Sequence, residues 1–180
     1  MGAPGEDLAD RVKRAVDRKV NGHAVPGGRD KRGIECFALV NWALGEAGAK
    51  TAADFGEITP TADYVWGEPV DLDAVKPGYI LQFRDHVLRV QTYTLGEFKW
   101  QPMPDEKPKV RPHHAAVIWE VLKEGGVKVA EQYVKPDIHK VNLNTILRLD
   151  RGSETRMISP KEKIFIEVTG YVWAYRPVPK

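Results

Sequence analysis

Helical and strand signals occupy different parts of this chain, and that segregation narrows the folds open to it more than any other feature. Leu8, Val12 and Val16 recur four apart among charged residues, which predicts a narrow amphipathic helix within residues 5–19. The run GIECFALVNWALGEAGA sets Phe37, Val40, Leu44 and Ala47 at helical spacing, with Gly48 as a stop, and predicts a helix over Glu35–Ala47. From the turn signal Lys76-Pro77-Gly78 onward the pattern changes to strands. They are YILQFRD, one or two strands within 86–100, HHAAVIWEVL, and VKVAEQYV across a Glu124-Gly125-Gly126 hairpin turn. KIFIEVTGYVWAYRP closes the chain as one strand or two, with a break at Gly170, and Val141–Leu149 reads as a strand or a short helix. Asn21–Gly33, most of 51–78, and 101–112 with its four prolines read as loops. Helices first and antiparallel strands after them predict an α+β domain, with N-terminal helices packed on an antiparallel sheet.

A chain of 180 residues, 42% hydrophobic and 29% charged, is long enough to bury one core and ordinary enough in composition to do so. No repeat or linker divides it. Residues 1–32 are expected to be a helix and loop belonging to the same domain as a 33–180 core. The net charge of +2 is spread over intermixed acids and bases, which argues against a nucleic-acid partner. No segment is apolar for long enough to span a membrane, and MGAPGEDLADRVKRAVDRKV lacks an apolar leader. A soluble, cytoplasmic monomer is therefore expected, with export by a leaderless route left open. Neither a GxxxxGK[ST] nor a GxGxxG motif occurs. No cofactor and no metal are expected.

The chain has one cysteine, so it can build neither an internal disulfide nor a cysteine zinc cage. A lone cysteine is more often a small buried hydrophobe than a nucleophile. Cys36, however, falls in the first turn of the strongest helix, where unpaired N–H groups and the helix dipole favour a thiolate. A thiolate needs a base. Of five histidines, His23 and His139 lie in loops and His86 at a strand end, whereas His113 and His114 open the strand HHAAVI. Both faces of that strand are apolar, so its period of two does not choose between them. The strand across the hairpin carries Glu131 and Gln132 in an otherwise apolar run, within reach of the histidine strand as orienting groups. A surface glutamate is the competing reading. The five tryptophans are read as core and groove lining.

GIECFALVNWAL, KPGYILQF, HHAAVI and VAEQYV, in that order, resemble the CHAP and NlpC/P60 branch of papain-like enzymes. DYVWGEPV at Asp63–Val70, followed by PGYILQF and the doubled histidine, is similar to the cysteine-proteinase-fold domain of fungal myosin tail-region-interacting proteins and their bacterial relatives. The resemblance implies a papain-like fold in which Cys36 attacks an amide carbonyl, His114 is the base and Glu131 orients it. It also implies an oxyanion contact from the Cys36 backbone N–H, and substrate contacts from Tyr64, Trp66, His113 and Tyr133. The third-strand pattern of that branch, Glu-Gln-Asn, reads Glu131-Gln132-Tyr133 here, and Tyr79 stands where an acid usually follows Pro-Gly. Two functions follow: a thiol amidase or peptidase acting on a peptide or peptidoglycan-like amide, or a catalytically silent module that binds a protein partner.

Overall fold

The computed structural model describes residues 6–20, 22, 35–104, 106–134 and 140–180. His23, Gly33, His139 and nearly all of the loop expected over Asn21–Gly33 lie outside the described residues. Helix α1 spans Leu8–Asp17 and α2 spans Glu35–Ala47. On α1, Ala9, Val12, Ala15 and Val16 turn inward. On α2, Leu39, Val40, Ala43, Leu44 and Ala47 do so. Both sets follow the three-and-four spacing that makes one apolar face.

Eight strands follow among the described residues: β1 Glu68–Val70, β2 Ile80–Leu95, β3 Trp100–Pro102, β4 Lys109–Val121, β5 Val127–Glu131, β6 Asn142–Ile146, β7 Gly152–Ser159 and β8 Glu162–Arg176. All join one antiparallel sheet of order β1-β8-β2-β4-β5-β6, with β3 added beside β2 and β7 beside β8. This corrects the expected α+β, papain-like class: the fold is β-rich, and the two α-helices among the described residues are short. The error has a physical source. Residues 86–100 and the chain end look like short strands, yet β2 and β8 run for 16 and 15 residues and pair with each other over almost their whole length. RGSETRMIS is too polar to register as a strand, yet all of it after Arg151 forms β7 because β8 offers it a free edge. The resulting ribbon carries its own apolar cluster of Leu88, Ile166 and Val168, to which no helix residue among the described residues contributes.

The helices cover the other end of the sheet. Val12, Val16, Leu39, Val40, Ala43 and Leu44 pack with Ile80, Ala115, Val117 and Ala130. Each valine, leucine or isoleucine among them, taken fully out of water, stabilises the fold by roughly 1.5–3 kcal/mol. The opposite face of the same strands holds Leu81, Phe83, Ala116, Ile118, Val127 and Val129. No helix among the described residues is long and apolar enough to cross a membrane.

Three irregularities align across β4, β2 and β8. The β2–β8 register shifts between Arg84 and Val87, at the Asp85 bulge, whose φ is 50°, while the β2–β4 register is the same on both sides of it. Pro112, with no N–H to give a ladder, is skipped in the β4 pairing opposite that bulge. On β8, Gly170 has a φ of 85° and lies so close that an added Cβ would come within 1.9 Å of the Asp85 carbonyl oxygen. The proline assigned to a loop is thus a strand residue at a bulge, and Gly170 bends β8 without ending it. This kink sits immediately before His113 and His114.

Gly78 ties the sheet to α1. Its φ is 88°, its N–H donates to the Ile118 carbonyl at 2.7 Å, and a Cβ there would lie 1.9 Å from the Ala9 carbonyl oxygen. Gly78→Ala combines a left-handed strain with a backbone clash, and is expected to cost about 2–3 kcal/mol in denaturant unfolding. An unchanged midpoint would show that α1 is not seated on this turn.

Candidate active site

Pairing between β4 and β5 begins at Val117 opposite Ala130, one position short of Glu131 and further still from His114. At this end of the two strands the first turn of α2 presents Cys36. Its sulfur accepts backbone N–H hydrogen bonds from Ala115 on β4 and from Phe37 on its own helix, and it is hydrogen-bonded to the His114 side chain. The sequence reading left His113 and His114 open as partners of the thiol. The structure puts His114 in that contact, whereas the His113 ring nitrogen Nε2 donates to the Ala62 carbonyl and its ring packs 5.5 Å from Tyr64.

His114 is bonded through both ends of its ring. Nε2 lies 2.8 Å from Oε1 of Glu131, which leaves Nδ1 for the sulfur. An ionised carboxylate only accepts, so Nε2 carries a proton there. Glu131 is fully buried and accepts from four N–H donors. Arg111 Nε meets Oε1 and Arg111 Nη2 meets Oε2, each at 2.9 Å, in a fork-to-fork pair. Asn144 Nδ2 on β6 meets Oε2 at 2.8 Å. Arg111 is itself buried, with its guanidinium 5.6 Å from the Phe83 ring centre.

These contacts set the protonation of the site. Burial would raise the Glu131 pKa, but the bonds and charges of His114 and Arg111 hold it far below the ordinary carboxylate range. Burial alone would lower the His114 pKa, but hydrogen bonds and charge from Cys36 and Glu131 push it up to about 9. For Cys36, burial raises the pKa, yet the hydrogen bond and charge of His114, with the N–H groups of Ala115 and Phe37, hold it below the usual thiol value. The three directions are mutually consistent: each group favours the charged form of its neighbour, with the thiol pKa lowered, the imidazole pKa raised and a buried carboxylate behind them. With Arg111, two cations face Glu131 and an ionised Cys36, so the ion-pair form of the cluster is neutral.

A small cavity of about 10 Å³ opens against the sulfur, bordered by Cys36, Phe37, Tyr64, Gln82, His113, His114 and Ala115. Of the substrate contacts implied by resemblance, Tyr64 and His113 reach this cavity and two do not. Trp66 is fully buried in a cluster with the Phe37 and Tyr64 rings, and donates its Nε1–H to Gln82 Oε1 at 2.8 Å. Tyr133 follows β5 in a left-handed conformation, φ 66°, with its side chain about half exposed. Among the described residues no group of three His, Cys, Asp or Glu side chains is arranged to hold a metal ion. Sequence reasoning missed Arg111, Asn144 and Gln82. The available signal was Arg111 itself, since a carboxylate buried in an apolar strand needs a cation and Arg111 is the one just upstream of the histidine pair.

Compared with known proteins, the chain matches no family model, no curated sequence and no solved structure.

Removing the charge of Glu131 would strand Arg111 and the imidazolium in the interior. Glu131→Gln is expected to lower unfolding stability by about 3–5 kcal/mol, as for a buried pair that loses one partner. A loss within about 0.5 kcal/mol, the range of an ordinary surface substitution, would show that the pair is not buried as described.

Proposed function

We propose that this chain is a thiol-dependent amidase or peptidase that uses Cys36 as nucleophile, His114 as acid and base, and Glu131 as the group that orients the imidazole. The supporting observation is His114, which joins a thiol at the start of a helix to a buried, charge-compensated carboxylate through its two ring nitrogens. Such triads are recognised by geometry and roles rather than by fold, so a β-rich scaffold does not weigh against one.

The chemistry follows from the charges. The thiolate attacks an amide carbonyl carbon, and the carbonyl oxygen takes up the negative charge. His114 gives its proton to the departing amine, leaving a thioester on Cys36 and a neutral imidazole. That imidazole then takes a proton from an incoming water as the water attacks the thioester. Acid is formed, and the thiolate–imidazolium pair returns. The substrate class is a peptide or peptidoglycan-like amide. A second reading, a silent module that binds a protein partner, is favoured by the small size of the cavity at the sulfur.

Alkylation by iodoacetamide as a function of pH separates the two. With the Cys36 pKa lowered, the parent is expected to react below pH 7, where an ordinary thiol of pKa about 8.5 is almost fully protonated. In His114→Ala the effect of burial is no longer opposed, and the reactivity should move to alkaline pH. A parent thiol that titrates near the ordinary value, with no response to His114→Ala, would overturn the hydrolase reading.

A further inference from the structure

The space at the Cys36 sulfur does not match the chemistry proposed above. A cavity of about 10 Å³ holds one water molecule at most, and an amide with chain on either side of it does not fit. Six of the seven residues that border it belong to α2, β2 and β4, whose backbones are fixed by helix and ladder hydrogen bonds. Tyr64 is the exception. It lies in a strap, residues 57–67, which is neither helix nor strand and joins the 3₁₀ turn Ala52–Asp54 to β1.

The strap's hold on the sheet is narrow. Among the described residues, no backbone hydrogen bond joins residues 57–63 to a strand. Two side chains take that part. Arg84 on β2 and His113 on β4 stand directly opposite each other. Arg84 Nε donates to Asp63 Oδ1 at 2.7 Å, and its Nη2 donates to the Thr61 carbonyl. His113 Nε2 donates to the Ala62 carbonyl between them. Three successive strap residues are thus fastened to one cross-strand pair. The Arg84 and Asp63 side chains are 27% and 42% exposed, so water competes for both. The strap also rests on ring contacts of Tyr64 with Phe37 and His113, at 5.0 and 5.5 Å, and on Ile58 and Ala62 at the margin of the core. Its two ends differ. Trp66 is fully buried, and a Cβ added at Gly67 would lie 2.1 Å from the Arg176 carbonyl oxygen. At Gly56, just before the strap, an added Cβ would meet nothing within 4 Å.

We propose that the strap is a lid over the nucleophile, latched by Arg84 and His113, and that substrate reaches Cys36 when residues 57–64 lift away with Trp66 as the fixed end. This rests on the hydrolase reading above. A segment without backbone bonds to its neighbours opens at a lower cost than the ladders beneath it. Lifting it withdraws Tyr64 from the cavity and leaves the wall of α2, β2 and β4 in place. The groups that lower the Cys36 pKa, His114 and the N–H groups of Ala115 and Phe37, all belong to that wall, so opening exposes the sulfur without changing its ionisation.

The rate of alkylation by iodoacetamide, followed against pH, separates access from ionisation. Its midpoint reads the thiol pKa, and its plateau above the midpoint reads how often the sulfur is uncovered. In Arg84→Met, which keeps the side-chain stem and loses the guanidinium, the plateau should rise at least about 5-fold with the midpoint unchanged. Asp63→Ala, which leaves β2 intact, should raise it about 2- to 5-fold, and it decides the matter if the methionine variant does not fold. Gly78→Ala loosens the fold at the α1 turn, away from the strap, and should leave the plateau as it is. A plateau unchanged in the folded latch variants overturns the lid and leaves the hydrolase reading standing. An equal rise in Gly78→Ala also overturns it, because the sulfur is then reached by general unfolding. A plateau that rises as expected, around a parent midpoint at the ordinary thiol value of about 8.5, upholds the lid and overturns the hydrolase reading.

Discussion

A carboxylate with no exposure to water holds this site together. An ionised Glu131 in the interior would be prohibitively costly alone, and its position is tolerable only because four N–H donors from three side chains converge on it. Those side chains come from two different strands, β4 for Arg111 and His114 and β6 for Asn144, on either side of β5. The carboxylate thus makes the register of three strands interdependent. A slip of one residue on any of them would turn a charged group into an apolar cluster and leave its partner unpaired.

The same carboxylate carries its influence to the sulfur. Glu131 fixes the ring of His114 and favours its protonated form, and the protonated ring favours the Cys36 thiolate. Arg111 makes this possible without excess charge. With Glu131 as the only anion behind it, the imidazolium would satisfy the carboxylate fully. With Arg111 taking half of the carboxylate, the ring is left able to balance the sulfur as well. The kink at Pro112, Asp85 and Gly170 lies between Arg111 and His113, where the β2–β4 ladder omits one pair and keeps its register. Arg111 and His114 are three positions apart, and a regular strand would turn them to opposite faces, yet both meet one carboxylate on the two sides of the interruption at Pro112.

Cys36, His114 and Glu131 could be picked out from the sequence because each has a local signature: a helix start, a strand start, and an acid in an apolar strand. His113 could not be separated from His114, since a period of two places apolar neighbours on both faces. The choice was made by Ala62, a carbonyl some fifty positions away in the chain, which holds the His113 ring elsewhere. Asn144 and Gln82 were illegible for the same reason, because their roles depend on which residue lies across a strand boundary. The helices were legible to the residue at Glu35–Ala47, whereas the fold class was not. Strand β7 and the outer halves of β2 and β8 are amphipathic only weakly, and they are strands because they pair with one another. Tyr133 also falls into place: its backbone is left-handed, a conformation that asparagine adopts far more readily than tyrosine. A substitution at that position therefore bears on the turn after β5, not on the orientation of His114.

The protonation of His114 tests the account most directly, and NMR titration of its ring nitrogens would measure it. The ring should be doubly protonated at pH 7 and lose a proton near pH 9. Because the folded value is raised, the group's contribution to stability should be complete below about pH 6.5, its unfolded value, and disappear as the pH rises through about 9. In Cys36→Ala the imidazolium loses one of its two anions, and the titration should move down. A ring that is neutral at pH 7 in the parent, and titrates the same way without Cys36, would contradict the account.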